Sequence, residues 1–310
     1  MQTAPRARIL PLAIAGLGLA ACVAEPSSAP PAGADEPKVD QPGTRIDGNA
    51  ASPGLDAGVV ASCSESAKLI YLVDENNDFL SFKPDSLTFT RIGTLSCPAA
   101  FGAAPFSMSI DRSATAWVVY DSGQLFRVST QDASCQATTF NAGQQGVYQF
   151  GMGFVSNSAG SNDETLYIAN DVQQGDSLPT AVQIGTLSFP DLTVTSKGTV
   201  SGVPELTGTG DGKLWGFFPS STITPNVALL DKNTGMPSTS FALPGLQGQP
   251  IDWAFAFWGG DFWVFLRRDT DPSTRVYRIN SSTGAMQVAL PSTGRSIVGA
   301  GVSTCAPVIL

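Results

Sequence analysis

The stretch GGDFWVFL, Gly259–Leu266, is a short apolar run that begins and ends at turn residues. Five large apolar side chains follow Asp261, without the alternation of polar and apolar residues that is typical of a strand with one face in water. A strand that is apolar on both faces is predicted to be buried on both faces. The stretch therefore favours a fold in which sheets pack against both sides of other sheets.

Four earlier segments match this run in pattern. They are KLWGFF (213–218), TLYIAN (165–170), TAWVVY (115–120) and KLIYLV (68–73). Each carries one aromatic residue at the same place, which we call the marker aromatic: Tyr71, Trp117, Tyr167, Trp215 and Trp263. The markers are 46 to 50 residues apart. A period of this length indicates a repeat architecture.

Each repeat contains four short apolar segments separated by turns. In the last repeat the strand before the marker is WAFAFW, the strand after it is RVYRIN, and the turn NSSTG (280–284) leads to MQVALP. Four short antiparallel strands per unit are typical of a propeller blade. The sequence thus predicts an all-β fold, a β-propeller of five four-stranded blades. The alternative, a long β-sandwich, would preserve the alternation that the clearest strands lack.

The two ends of the repeat region complement each other. The first repeat has no clear first strand between Gly58 and Ser66, whereas SIVGAGVSTC (296–305) is an extra strand at the end. We predict that the C-terminal strand completes the first blade, because ring closure leaves no long exposed edge.

The N-terminus has the features of an export signal. Arg6 and Arg8 precede an apolar run, Ile9–Ala21, that is too short to span a bilayer comfortably. The run ends in Leu19-Ala20-Ala21-Cys22, which resembles the lipobox of bacterial lipoproteins. The resemblance implies that residues 1–21 are a signal peptide and that Cys22 is the lipid attachment site. It also implies a lipid anchor in the cell envelope, and Val23 after the cysteine favours the outer membrane. The alternative is an ordinary secretory signal with a chance cysteine.

Residues 22–58 differ in composition from the rest of the chain. From Val23 onward they contain six prolines, six acids and two bases, and no aromatic residue. Such a segment has too little apolar surface to form a core, so we predict a disordered tether that joins the lipid to a propeller domain at 59–310.

The four other cysteines lie in the predicted propeller. In an exported domain they are expected to form disulfides, and four cysteines allow three pairings. The topology favours Cys63 with Cys305 at the junction of the ring and Cys97 with Cys135.

Composition argues against several functions. The net charge of −9 and the absence of a basic patch argue against nucleic-acid binding. The chain has no histidine, which removes the commonest general base and zinc ligand. We find no cofactor motif and expect no cofactor. The segment DENND (74–78) resembles a calcium loop but has Phe79 where such loops have glycine, so we interpret it as a turn without metal.

Carboxylates permit one enzymatic alternative. Acids precede the marker strands in equivalent turns, where Asp usually bonds its own backbone: Asp111, Asp163, Asp211 and Asp261. Only Glu205 and Asp252 place carboxylates well within first strands, where a propeller glycan hydrolase would need them. We assign no catalytic residue and favour a binding function.

The segment LQGQPIDWAFAFW (246–258) is the most distinctive candidate for ligand binding. Aromatic rings beside amides suit glycans and peptides, and the candidate residues are Gln247, Gln249, Asp252, Trp253 and Trp258. The alternative is that both tryptophans belong to the core. The segments 170–180 and 267–275 are predicted to flank the same rim. In blade count and repeat length the domain resembles tachylectin-type five-bladed lectins, a likeness of shape alone. We expect a monomer that binds a protein or a glycan.

Overall fold

Twenty short strands in five antiparallel sheets make up nearly all the regular structure of residues 63–171 and 180–309, which are the residues that this computed structural model describes. The helices in this part of the chain are three single turns of 3-10 helix, Ser66–Lys68, Gln144–Gly146 and Pro244–Leu246. None of them is long or apolar enough to cross a membrane.

Each sheet is one blade, with its first-named strand at the axis and its last-named strand at the outer edge. Blade 1 contains β20 (Ile297–Gly301), β1 (Ile70–Asp74), β2 (Asp78–Lys83) and β3 (Thr88–Thr94). Blade 2 contains β4 (Pro105–Ile110), β5 (Thr115–Tyr120), β6 (Leu125–Ser129) and β7 (Cys135–Ala137). Blade 3 contains β8 (Phe150–Ser156), β9 (Glu164–Asn170), β10 (Ala181–Leu187) and β11 (Val194–Ser201). Blade 4 contains β12 (Glu205–Gly208), β13 (Leu214–Phe218), β14 (Asn226–Leu230) and β15 (Pro237–Ala242). Blade 5 contains β16 (Pro250–Trp258), β17 (Asp261–Arg268), β18 (Arg275–Asn280) and β19 (Met286–Leu290).

The five inner strands form a closed circle. Strands β20, β4, β8, β12 and β16 each contact the next, and β16 contacts β20. In blade 1 the C-terminal strand pairs with the first strand of the domain, with Gly301 opposite Tyr71. The predicted five-bladed propeller, closed by the C-terminal strand, is therefore confirmed.

The packing of β17 explains why the run Gly259–Leu266 is apolar on both faces. Phe262 and Val264 pack in the cluster shared with blade 4, whereas Trp263 and Phe265 pack in the cluster shared with blade 1. Alternate residues thus face different neighbouring blades, and both faces are buried. Full burial of one such side chain stabilises the folded state by about 1.5–3 kcal/mol. Similar clusters fill the other blade interfaces.

Small residues stand opposite every marker aromatic on the inner strands. They are Gly301, Ser109, Gly153, Thr207 and Ala256. A Cβ on Gly153 would lie 2.9 Å from Thr207 Cα, so the inner strands leave no room for a larger residue. Thr207 Oγ1 accepts a hydrogen bond from the N–H of Phe257 in blade 5 (3.2 Å). Ser109 Oγ likewise accepts one from the N–H of Phe154 in blade 3 (3.0 Å). The narrow axis thus depends on these side chains.

Two disulfides tie the ring. Cys63 is bonded to Cys305, with 5.6 Å between their Cα atoms, and Cys97 is bonded to Cys135, with 5.0 Å. This is the pairing that the topology favoured. The first bond joins the beginning of the described chain to the segment that follows β20, and the second joins blade 1 to blade 2.

Candidate functional site

The two faces of the propeller differ at the axis. We call the face at which the inner strands begin the upper face, and the face at which they end the lower face. On the lower face, residues 302–309 run below the axis: Thr304 donates to Glu164 (2.7 Å) and accepts from Arg112 (3.0 Å), and Pro307 O accepts from Gly259 (2.7 Å). These contacts reach blades 2, 3 and 5. Residues 302–309 therefore lie across the lower end of the axis.

A cavity of about 200 Å³ opens at the axis on the upper face, and we call it the axial pocket. Residues from blades 1, 2, 4 and 5 line it: Pro105, Phe106, Asp121, Glu205, Ile251, Asp252, Trp253 and Val298. Most of them lie on inner strands, near the upper ends. The walls are partly aromatic, and three of the lining side chains carry carboxyl groups.

A second cavity, of about 480 Å³, lies beside it on the upper face and is called the rim cavity. Hydroxyl and amide groups predominate in its lining, together with an aromatic ring; they include Ser201, Phe218, Ser220, Thr222, Asn226 and Gln249. Gln249 and Pro250 line the rim cavity, and the next three residues of β16, Ile251–Trp253, line the axial pocket.

The structure brings together three of the five predicted ligand-binding residues. Asp252 and Trp253 line the axial pocket, and Gln249 lines the rim cavity. Gln247 is exposed and lines neither cavity; its main-chain oxygen accepts a hydrogen bond from Arg268 (3.4 Å). Arg267 and Arg268 end β17 on the same rim, whereas 172–179 of the other predicted rim segment lie outside the described residues.

Trp258 requires a correction. It lies at the lower end of β16, in the core between blades 5 and 1, and is only 8% exposed. Its Nε1 donates to the main-chain oxygen of Lys68 (2.7 Å). Both tryptophans lie on β16, Trp253 near its upper end and Trp258 at its lower end, so Trp258 is a core residue and not part of the site.

Glu205 is the most perturbed acid of the axial pocket. It is 4% exposed, and Ser107 Oγ donates to its Oε1 at 2.5 Å. Burial raises the pKa of Glu205 to about 8, against the opposing hydrogen bonds of Ser107 and the Met152 N–H, and the charge of Asp171 raises it further. The carboxyl group is thus largely protonated at neutral pH.

Asp171, which the sequence patterns did not single out, follows β9 directly. It is 2% exposed, and neither carboxylate oxygen has a hydrogen-bond partner among the residues that the structure describes. Burial raises its pKa to about 6. A buried carboxylate without partners is costly, and such groups often mark functional sites.

Asp171 belongs to a set of acids at equivalent positions, which we call the acidic ring. After each second strand except β13, an acid donates its main-chain N–H, at 2.9–3.0 Å, to the oxygen of the residue before the inner strand. The members are Glu75, Asp121, Asp171 and Asp269, and Pro219 takes the place in blade 4. In the first three blades the acid stands four residues after the marker aromatic, so this signal was present in the sequence.

Asp252 differs because it has a cationic partner. Arg267 Nε lies 2.6 Å from its Oδ2. Burial raises the pKa of Asp252, the ion pair with Arg267 lowers it, and the charge of Glu75 raises it. The Arg267 guanidinium thus compensates this carboxylate within the pocket wall.

The acids of the turns and of the DENND segment have structural partners. Asp111 accepts the N–H groups of Ser113 and Thr115 (2.9 Å each) and Trp117 Nε1 (3.0 Å). The DENND segment is held by an ion pair of Asp74 with Arg295 (2.6 Å). Within residues 63–171 and 180–309, no three Asp, Glu, Cys or His side chains are placed to bind a metal ion.

Comparison with known proteins finds distant likenesses. No protein-family profile and no curated protein matches the chain. Similar solved structures include a mitotic checkpoint complex, at 13% identity over 84% of this chain and 74% of that chain with a TM-score of 0.35. A protein of unknown function from Bacteroides caccae shows 12% identity over 70% of each chain and a TM-score of 0.37. A functionally unknown protein from Desulfotomaculum acetoxidans shows 13% identity, coverage of 72% and 68%, and a TM-score of 0.39. Similarities this low carry no functional argument.

Proposed function

We propose that this protein is a lipid-anchored cell-envelope protein whose propeller binds a partner through its upper face, without catalysis. The axial pocket carries the proposal: it opens on the upper face, while residues 302–309 cover the lower end of the axis. Ligands of ring-shaped and barrel folds commonly bind in such axial depressions.

The anchor is inferred from Cys22, which lies outside the described residues. One observation supports export: disulfides are typical of exported proteins, and this domain has two.

A protein partner is favoured by exposed apolar side chains on the upper face. Phe101, Tyr148, Ile223 and Ile251 are exposed and lie in connections or strand ends on this face. Ile251 lines the axial pocket and Ile223 the rim cavity, and exposed apolar groups at a cavity are typical of interaction sites. A glycan is the other ligand class, since the hydroxyl and amide groups of the rim cavity beside Phe218 suit sugar hydroxyls.

A glycan hydrolase is the second candidate function. A general acid must be protonated at neutral pH, and the raised pKa of Glu205 keeps its carboxyl group protonated there. Asp121 lines the same pocket as an exposed carboxylate. Release of reducing ends from envelope glycans by the wild type, lost in Glu205→Gln, would support this function over binding alone.

Cross-linking in envelope extracts, together with a glycan array, tests the binding proposal on the full-length protein. Phe106→Ala and Trp253→Ala should each reduce the amount of captured partner or sugar at least tenfold, because both side chains line the axial pocket. Met236→Ala removes an exposed side chain of the lower face and should bind as wild type. Binding that survives both pocket variants would place the site elsewhere.

A further inference from the structure

The acidic ring of the upper face is interrupted at one place, and the rim cavity opens there. An acid follows the second strand in the other four blades, whereas Pro219 follows it in blade 4 and lines the cavity. None of the described residues in the lining is charged. In a chain with a net charge of −9, this cavity of about 480 Å³ is therefore an uncharged site.

Polar side chains of this lining are available to a ligand. The hydroxyl groups of Thr180, Ser201 and Ser221 and the side-chain amide of Gln249 make no hydrogen bond to another residue that the structure describes. The amide nitrogen of Asn226 is in the same state, while its Oδ1 accepts a hydrogen bond from Ser240 (3.3 Å). Hydroxyl and amide groups offer both donors and acceptors. A ligand that carries several hydroxyl groups can replace the water on them with hydrogen bonds of the same kind.

Phe218 adds aromatic surface to the cavity, and Gly202 leaves room beside it. Both residues line the cavity, and Phe218 ends β13. Gly202 has a φ of 85°, and a Cβ there would lie 3.1 Å from Phe218 Cδ1, so a larger residue at 202 would crowd the ring. An aromatic ring beside hydroxyl and amide groups suits a sugar, whose ring has an apolar face and a rim of hydroxyl groups.

The size and the shape of the cavity favour a small neutral ligand. Its volume lies within the range of ligand cavities, roughly 300–1,000 Å³. A peptide commonly binds along an unpaired strand edge, whereas the lining residues here are strand ends and connections. An anionic sugar would approach the acid of blade 5, because Asp269 donates its main-chain N–H to the oxygen of Gln249 in the cavity wall (3.0 Å).

We propose that the rim cavity binds one neutral saccharide per chain. Ser201, Asn226 and Gln249 are the hydrogen-bonding partners of its hydroxyl groups, and Phe218 contacts its apolar face. The site occurs once, because the acidic ring of the described chain is interrupted in blade 4 and not in the other blades. The inference rests on the proposed function, a binding upper face, and it gives that face a second site and a ligand class.

Calorimetric titration of the full-length protein, in a detergent without sugar headgroups, tests this inference. The probes are the disaccharides maltose, cellobiose, lactose and diacetylchitobiose, together with cyclohexanol and the neutral peptide acetyl-tetra-alanine amide. At least one disaccharide should bind with one site per chain and about tenfold or more tightly than cyclohexanol, whose ring carries a single hydroxyl group. Its counterpart with a carboxylate in place of a hydroxymethyl group should bind more weakly. Failure of all four disaccharides would overturn the site, and equal affinity of the carboxylate counterpart would overturn the neutral class.

Two pairs of variants locate the binding. Gln249→Ala and Ser201→Ala each remove one polar group from the lining and should weaken the disaccharide roughly three- to tenfold, the effect of one lost hydrogen bond. The matched controls Gln136→Ala, on β7, and Ser196→Ala, on β11, change residues outside the cavity and should bind as wild type. All four side chains are exposed, so the variants should fold. Wild-type affinity in both lining variants would overturn the assignment.

The outcomes separate this inference from the proposed function. If Phe106→Ala and Trp253→Ala lose the envelope partner while no disaccharide binds, the axial pocket is a binding site and the saccharide inference fails. If a disaccharide binds and depends on Gln249 and Ser201 while the two axial variants keep the partner, the saccharide site stands and the axial pocket fails. Binding of the peptide probe without any disaccharide would overturn a saccharide as the ligand of the rim cavity.

Discussion

Glu205 is placed where its ionised form is unfavourable, and this predicts a pH-dependent stability. In the folded protein burial raises the pKa of Glu205 to about 8, whereas an exposed glutamate titrates near 4.5. Between these values the folded state keeps a proton that the unfolded state has lost, so stability falls as the pH rises. Glu205→Gln should therefore be more stable than wild type at pH 8, by ~4 kcal/mol, and differ little near pH 4.5.

Urea unfolding at the two pH values measures the effect. Glu75→Gln is the matched control, because Glu75 is an exposed acid of the same face, and its stability should stay within ~0.5 kcal/mol of wild type at both. A Glu205→Gln variant that is no more stable than wild type at pH 8 would mean that Glu205 is not held protonated.

At the scale of residues, the sequence predicted three of the residues that line the two cavities. Gln249, Asp252 and Trp253 were found because aromatic rings stand beside amide and carboxyl groups in this segment. Trp258 could not be separated from Trp253, because depth along the axis decides which ring is buried. Asp171 was missed although it stands four residues after a marker aromatic, because its burial without a donor among the described residues shows only in the fold.

At the scale of strands, the close packing of inner strands at the axis predicts that one added methyl group destabilises the domain. Gly208 ends β12, and a Cβ there would collide with the main-chain oxygen of Phe154 in blade 3. Because that oxygen belongs to an inner strand, Gly208→Ala should destabilise the domain by about 1–3 kcal/mol. Gly245→Ala is the control, since its Cβ would meet only the flexible end of Met286 and should cost less. If the two variants unfolded at the same urea concentration, Gly208 would not be needed for the close packing of blades 3 and 4.

The strands themselves were largely predictable, because burial on two faces leaves continuous apolar runs that recur with each blade. The rule for the inner position was not. Gly301, Ser109, Gly153, Thr207 and Ala256 look unrelated until the register places each opposite a marker aromatic. Their common property is small size at a crowded axis, which appears only once five strands converge.

At the scale of the whole molecule, the two disulfides should contribute differently to the free energy of unfolding. Cys63 and Cys305 are 242 residues apart in sequence, and Cys97 and Cys135 are 38 apart. Since the entropy removed from the unfolded chain grows with loop length, the first bond is expected to contribute ~5 kcal/mol and the second ~4. Urea unfolding of Cys63→Ser/Cys305→Ser and Cys97→Ser/Cys135→Ser tests the ranking, and the reverse order would contradict it.

The proposed lipid anchor leads to a prediction about the location of the whole protein. A net charge of −9 gives the chain no attraction to an anionic bilayer, so membrane binding must come from acyl chains. Because two or more chains anchor stably where one is marginal, Cys22→Ser should abolish incorporation of labelled palmitate and move the protein from the membrane to the soluble fraction. Val23→Ala keeps the cysteine and should remain in the membrane fraction. Persistence of Cys22→Ser in carbonate-washed membranes would mean that another part of the molecule, and not the lipobox, holds it there.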